Sequence, residues 1–89
     1  EQTFLCAIPP KLREAYEAGA HAQIRPRGVL LALFMQKEEM GGPPYGCGLP
    51  AMRTLFPDSR WNWPAGEQMA FPHPGLNAKK ELAVALVRR

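Results

Sequence analysis

Val29-Leu30-Leu31-Ala32-Leu33-Phe34-Met35 is the longest unbroken apolar run in the chain, and the reading of it decides the fold. Pro26, three residues upstream, suits the first position of a helix, where its missing N–H costs nothing. That placement predicts a helix opening at Pro26. Its first half, through Met35, is apolar on every side, and its second half, Gln36-Lys37-Glu38-Glu39, is polar on every side. Gly41-Gly42 ends it. A helix apolar all round must be covered on several faces. The same seven residues also suit a buried strand, because a run this short cannot be typed by its period alone.

Upstream, Thr3-Phe4-Leu5-Cys6-Ala7-Ile8 reads as a short strand or a docked extended end, closed by Pro9-Pro10. A first helix is expected over 10–18, stopped by Gly19 in the left-handed conformation that commonly ends helices. Leu12 and Tyr16 share one of its faces. Arg13 and Glu17 pair on another, and Glu14 and Glu17, with Arg13 and Lys11 nearby, read as a solvated surface.

Downstream the composition shifts. Seven of the ten prolines and six of the eight glycines lie within 41–75. One short helix fits over 50–56, opened by Pro50 and stopped by Pro57. The rest of that segment, including Trp61-Asn62-Trp63-Pro64 and Phe71-Pro72-His73-Pro74, is expected to be extended or polyproline-like. A last helix is expected over 77–87, with Asn77 as N-cap and Leu82, Leu86 and Ala83, Val87 as its apolar stripe. The expected fold class is therefore mainly α: three or four short helices, a long irregular Pro/Gly-rich segment and little or no sheet. Its divisions are 1–40, 41–76 and 77–89, within one small domain or less.

The 89 residues carry a net charge of +3 and are 46% hydrophobic. Much of that apolar fraction is alanine, so a free-standing core looks lean. No segment reaches the ~20 apolar residues of a spanning helix, and the 29–35 run has neither the position nor the flanks of a signal peptide.

Chemical motifs are scarce. Cys6, His21, Cys47 and His73 are the zinc-ligand types present, but no two lie within a turn of each other, whereas zinc modules supply ligands in close pairs. Two cysteines also allow a single disulfide. Gly41-Gly42-Pro43-Pro44-Tyr45-Gly46-Cys47-Gly48 is glycine-rich but lacks the free N–H groups and the Lys-Ser or Lys-Thr of a phosphate cradle. Ser59, Thr3 and Thr54 sit beside no histidine, and Glu38 and Glu39 point apart. These readings predict no catalytic residue, no cofactor and no metal.

The positive signal is aromatic. Trp61 and Trp63 lie two apart with Arg60 beside them, and Trp, Tyr and Arg dominate interface hot spots. Partner contact is expected at Leu30, Leu31, Leu33 and Phe34 in the apolar run. It is also expected at Tyr45, Arg60, Trp61, Trp63 and Phe71 in the Pro/Gly-rich segment. In composition the chain is similar to small accessory subunits of organellar respiratory complexes or mitochondrial ribosomes. That similarity implies an intracellular, organellar setting and other protein chains as partners, with nucleic acid as a secondary contact and peripheral membrane contact open. The alternative is a small self-standing inhibitor or regulator that blocks a protein target.

Overall fold

The computed structural model describes residues 1, 4–37, 41–66, 69–72 and 80–89. Within them the 29–35 run is a strand, β1 (Val29–Met35). Arg25-Pro26-Arg27-Gly28 is a turn and not a helix start. The Gly28 N–H donates to the Arg25 carbonyl at 2.8 Å, and Arg27 takes φ 67°. Proline in the second place and a left-handed residue in the third is the type II pattern. Gly28 is required there, since a Cβ would stand 2.6 Å from Ile24 Cγ2 and 2.8 Å from the Arg25 carbonyl.

The expected C-terminal helix is also a strand, β4 (Lys80–Arg88). Leu82 and Leu86 fit a helical stripe, but Leu82, Val84 and Leu86 also recur every second residue, the strand period. β1 pairs antiparallel with β4 along the whole length of β1, from Val29↔Val87 to Met35↔Glu81. Each run completes the other's hydrogen bonding, and this long-range pairing overrides the helix propensity of leucine and alanine. On its other side β4 pairs with two short antiparallel strands, β2 (Trp61–Asn62) and β3 (Met69–Pro72). The mainly-α expectation is therefore wrong. Over the described residues the chain is an antiparallel sheet, ordered β1-β4-β2 with β3 also against β4, and the two α-helices described there pack on one of its faces.

The first helix begins with a 3-10 turn over Pro10–Leu12 and continues as α1 (Arg13–Gln23). It runs through Gly19, whose surroundings are open, so the glycine does not stop it. The second, α2 (Leu49–Leu55), matches the expected short helix to within a residue. The 41–75 segment is thus less irregular than its composition predicts, holding α2, β2 and β3. The short strand or docked extended end expected over Thr3–Ile8 is a run of turns over its described part, docked through the buried Leu5 and Cys6. Thr3, like residues 77–79 of the expected last helix, lies outside the described residues.

The alternation of β1 and β4 sorts the sheet into two faces. Leu30, Ala32 and Phe34 on β1, with Val84 and Leu86 on β4, turn toward the helices. The core there holds Leu5, Phe34, Met52, Phe56, Trp61 and Leu86, all essentially inaccessible. Phe56 lies 5.6 Å from Trp61 and 5.9 Å from Phe34 between ring centroids. Each such ring contributes roughly 1.5–3 kcal/mol by burial. The large aromatics supply the core area that the leucine and valine count left in doubt.

Candidate interaction surface

α1 turns an unusual face inward, for its buried residues are Arg13 and Glu17. Glu17 Oε2 accepts from Arg60 Nε at 2.8 Å and from Trp61 Nε1 at 2.7 Å. Arg13 Nη2 donates to the Leu5 and Gly46 carbonyls, both at 3.1 Å, and to Cys47 Sγ at 3.3 Å. These residues are not the solvated surface that the sequence predicts. Arg13 ties the N-terminal turns to the 46–47 loop, and Glu17 ties α1 to β2. Between α1 and α2 opens a cleft of about 540 Å³, lined by Arg13, Glu14, Glu17, Met52, Leu55 and Arg60 among others. Glu17 and Arg60 neutralise each other at its edge.

The expected contact residues divide. Trp61 is fully buried within this chain, and Phe34 with it. Trp63 is half-buried, stacks on Phe34 at 6.1 Å, donates its indole N–H to the Phe56 carbonyl and lies under the Arg53 guanidinium. Both tryptophans therefore pack against the chain's own core, Trp61 fully and Trp63 in part. Leu30 packs against the same core, while Tyr45 and Arg60 are half-buried. The Phe71 backbone pairs with Glu81, and its side chain lies outside what is described.

Among the described side chains of the set, Leu31 is the one that faces open solvent, at 60% exposure, with Leu33 half-buried beside it. They lie on the face of the sheet opposite the helices. Val29 at 56% and Ala85 are exposed on that face too, and Val87 is half-buried. Sequence reasoning missed Val29, Ala85 and Val87. Their signal was the odd-numbered register of 29–35 against 83–87, which only the strand reading makes visible. Toward the Met35↔Glu81 end the openness stops, both residues being buried.

Of the zinc-ligand types, Cys6 and Cys47 are buried free thiols. Burial raises both, Cys47 to about 11 against the opposing pull of Arg13. His21 stands edge-on to Trp61 with ring centroids 5.4 Å apart. It is half-buried. His73 lies outside the described residues. Among the described residues no three metal-ligating side chains gather, and no helix is long and apolar enough to cross a membrane.

Comparison with known protein families and with curated proteins finds no match to this chain.

Proposed function

We propose that this chain is a non-catalytic binding protein that docks onto another protein through the open face of β1 and β4. The observation that carries the reading is the exposure of Val29 and Leu31, at 56% and 60%, on a regular sheet beside Ala85. Scattered surface leucines need no explanation, but a contiguous apolar face on rigid strands is the usual form of a protein contact. Phe4 and Leu12 are also exposed, yet they lie on turns and a 3-10 helix, not on paired strands.

The non-catalytic part rests on how the polar groups are used. Glu17 is engaged by two donors, the Arg13 Nη2 group by three acceptors, and both thiols are held protonated at neutral pH. Two forms of binding protein fit: a stabilising subunit of a multi-protein assembly, and a self-standing inhibitor or regulator. A core closed by Trp61, Phe34 and Phe56 within one chain favours the second. Cooperative unfolding of a monomer in isolation is expected, and an unfolded or aggregated isolated chain would return the assembly-bound form.

A photo-crosslinking residue placed at Leu31 tests the docking surface in the source cell. The same residue at Lys11, which is exposed on the helical side, is the control. A single identified protein captured at 31 and not at 11 is the expected result. Equal capture at both positions, or none at 31, overturns the reading.

A further inference from the structure

In the sequence Arg25 and Arg27, Arg60, and Arg88 and Arg89 fall into separate groups; the fold joins them. The Arg27 N–H donates to the Arg88 carbonyl at 2.9 Å, and the Arg89 N–H to the Arg60 carbonyl at 2.9 Å. Gly28 closes the turn back onto Arg25. Five arginines thus meet at one end of the sheet. Arg60 is committed to Glu17, and Arg88 Nε to the His21 carbonyl. Arg25, Arg27 and Arg89 are exposed and have no ion-pair partner among the described residues.

Arg27 carries a second mark. Its φ of 67° lies where glycine or asparagine is ordinarily found, so the backbone gains nothing from an arginine there. Strained positions that keep an unfavourable residue concentrate at functional sites. One residue past Gly28 stands Val29, opposite Val87, at the start of the open apolar face. The unpaired arginines therefore rim that face at one end.

We propose that this end of the sheet receives an acidic, partly apolar segment of a partner protein, its carboxylates on Arg25, Arg27 and Arg89 and its apolar side chains on Val29 and Leu31. The inference rests on the docking reading above and adds the chemistry of the partner. Arginine forks match carboxylates in two parallel hydrogen bonds. Phosphate would suit them equally, but binding to single-stranded nucleic acid also uses free aromatic faces. Here Trp61 is buried, Trp63 is stacked and Tyr16 packs on Phe4. A membrane surface calls for interfacial aromatics beside the basic residues, and both tryptophans are occupied in the same way. Among the described residues a second copy of this chain offers no acidic cluster: Glu17 and Glu81 are buried, Asp58 faces Arg53 and Glu1 accepts from the Phe4 and Leu5 N–H groups, leaving Glu14 exposed on α1.

The test measures binding of a labelled short peptide alternating glutamate and valine, beside its glutamine–valine counterpart, a single-stranded RNA oligonucleotide and vesicles of mixed phosphatidylserine and phosphatidylcholine. The glutamate peptide should bind tightest, and its binding should fade by about 0.5 M salt, where exposed charges are screened. The double variant Arg25→Gln/Arg27→Gln should weaken it roughly tenfold at low salt, and Leu31→Ser should weaken it too. Arg27→Gly relieves the backbone, so it should raise the unfolding temperature while weakening binding, a split that a purely structural arginine would not produce. Equal binding of the glutamine peptide, still sensitive to Leu31→Ser, overturns the acidic partner and keeps the docking face. Insensitivity to both Leu31→Ser and the arginine changes overturns both. Tighter binding to RNA or to vesicles replaces the acidic segment with that partner.

Discussion

Trp61 donates its indole N–H to Glu17 at 2.7 Å across 44 residues of sequence, and both side chains are buried. The bond joins the middle of α1 to the first residue of β2. It also turns a carboxylate away from solvent at a point where Arg60 supplies the balancing charge. Deep burial of a charge costs stability unless it is paired and hydrogen-bonded, and here it is both.

Trp61→Phe keeps most of the ring area and removes that donor. Glu17 would keep Arg60 alone, so the loss should be on the order of 2 kcal/mol. Urea unfolding followed by circular dichroism should show a lower midpoint with an unchanged slope. An unchanged midpoint would mean that the indole N–H contributes nothing.

Arg13 is the second internal tie. Arg13→Met preserves the aliphatic stem but strands the Leu5 and Gly46 carbonyls and Cys47 Sγ. A loss of about 2–4 kcal/mol is expected, with the N-terminal turns released first. Hydrogen exchange should report faster exchange at 4–8 and 45–47 than in β4. Uniform change across the chain would contradict a local tie.

Much of this was hidden in the sequence for identifiable reasons. The short helix was legible because Pro50 and Pro57 bracket it. The two long strands were not. Pro26 fits a helix start and a type II turn equally well, and Leu82 with Leu86 satisfies both a helical and a strand period. What settles each is the other strand, and a pairing across more than fifty residues (Val29 to Val87) leaves no local mark. Once the strands are placed, the open face follows from parity, as Leu31 and Ala85 share a register position. The arginine end is hidden for the same reason, since its members meet only through the β1–β4 and β2–β4 ladders. Glu17 was misread because its partners, Arg60 and Trp61, lie far along the chain.

Alkaline pH should unfold the protein through its thiols. Burial lifts Cys47 from the ordinary 9.0 to about 11, so the folded state holds the proton more tightly than the unfolded one. The stabilisation is complete below pH 9 and is lost as pH rises through 11. It amounts to about 2–3 kcal/mol for a shift of this size. Cys47→Ala should flatten that part of the stability profile by about one proton. A residual slope should remain from Cys6 and Tyr16, both also raised by burial. A variant as alkali-sensitive as the parent would show that Cys47 does not titrate with unfolding.

The two faces of β1 should respond in opposite ways to the same kind of change. Phe34 is fully buried against Phe56 and Trp63, and Phe34→Ala should cost about 3–5 kcal/mol through lost burial and the cavity it leaves. Leu31 lies three residues earlier on the same strand but at 60% exposure. Leu31→Ser should therefore shift stability by no more than ~0.5 kcal/mol, while the crosslink and the peptide contact at this face weaken. Had the 29–35 run formed a helix covered by partner chains, both changes would act mainly through those partners, and the isolated protein would hardly register either. Chemical unfolding of the two purified variants decides the matter. A large loss for Leu31→Ser would mean that the outer face is covered within the molecule, and the docking surface would then have to be sought elsewhere.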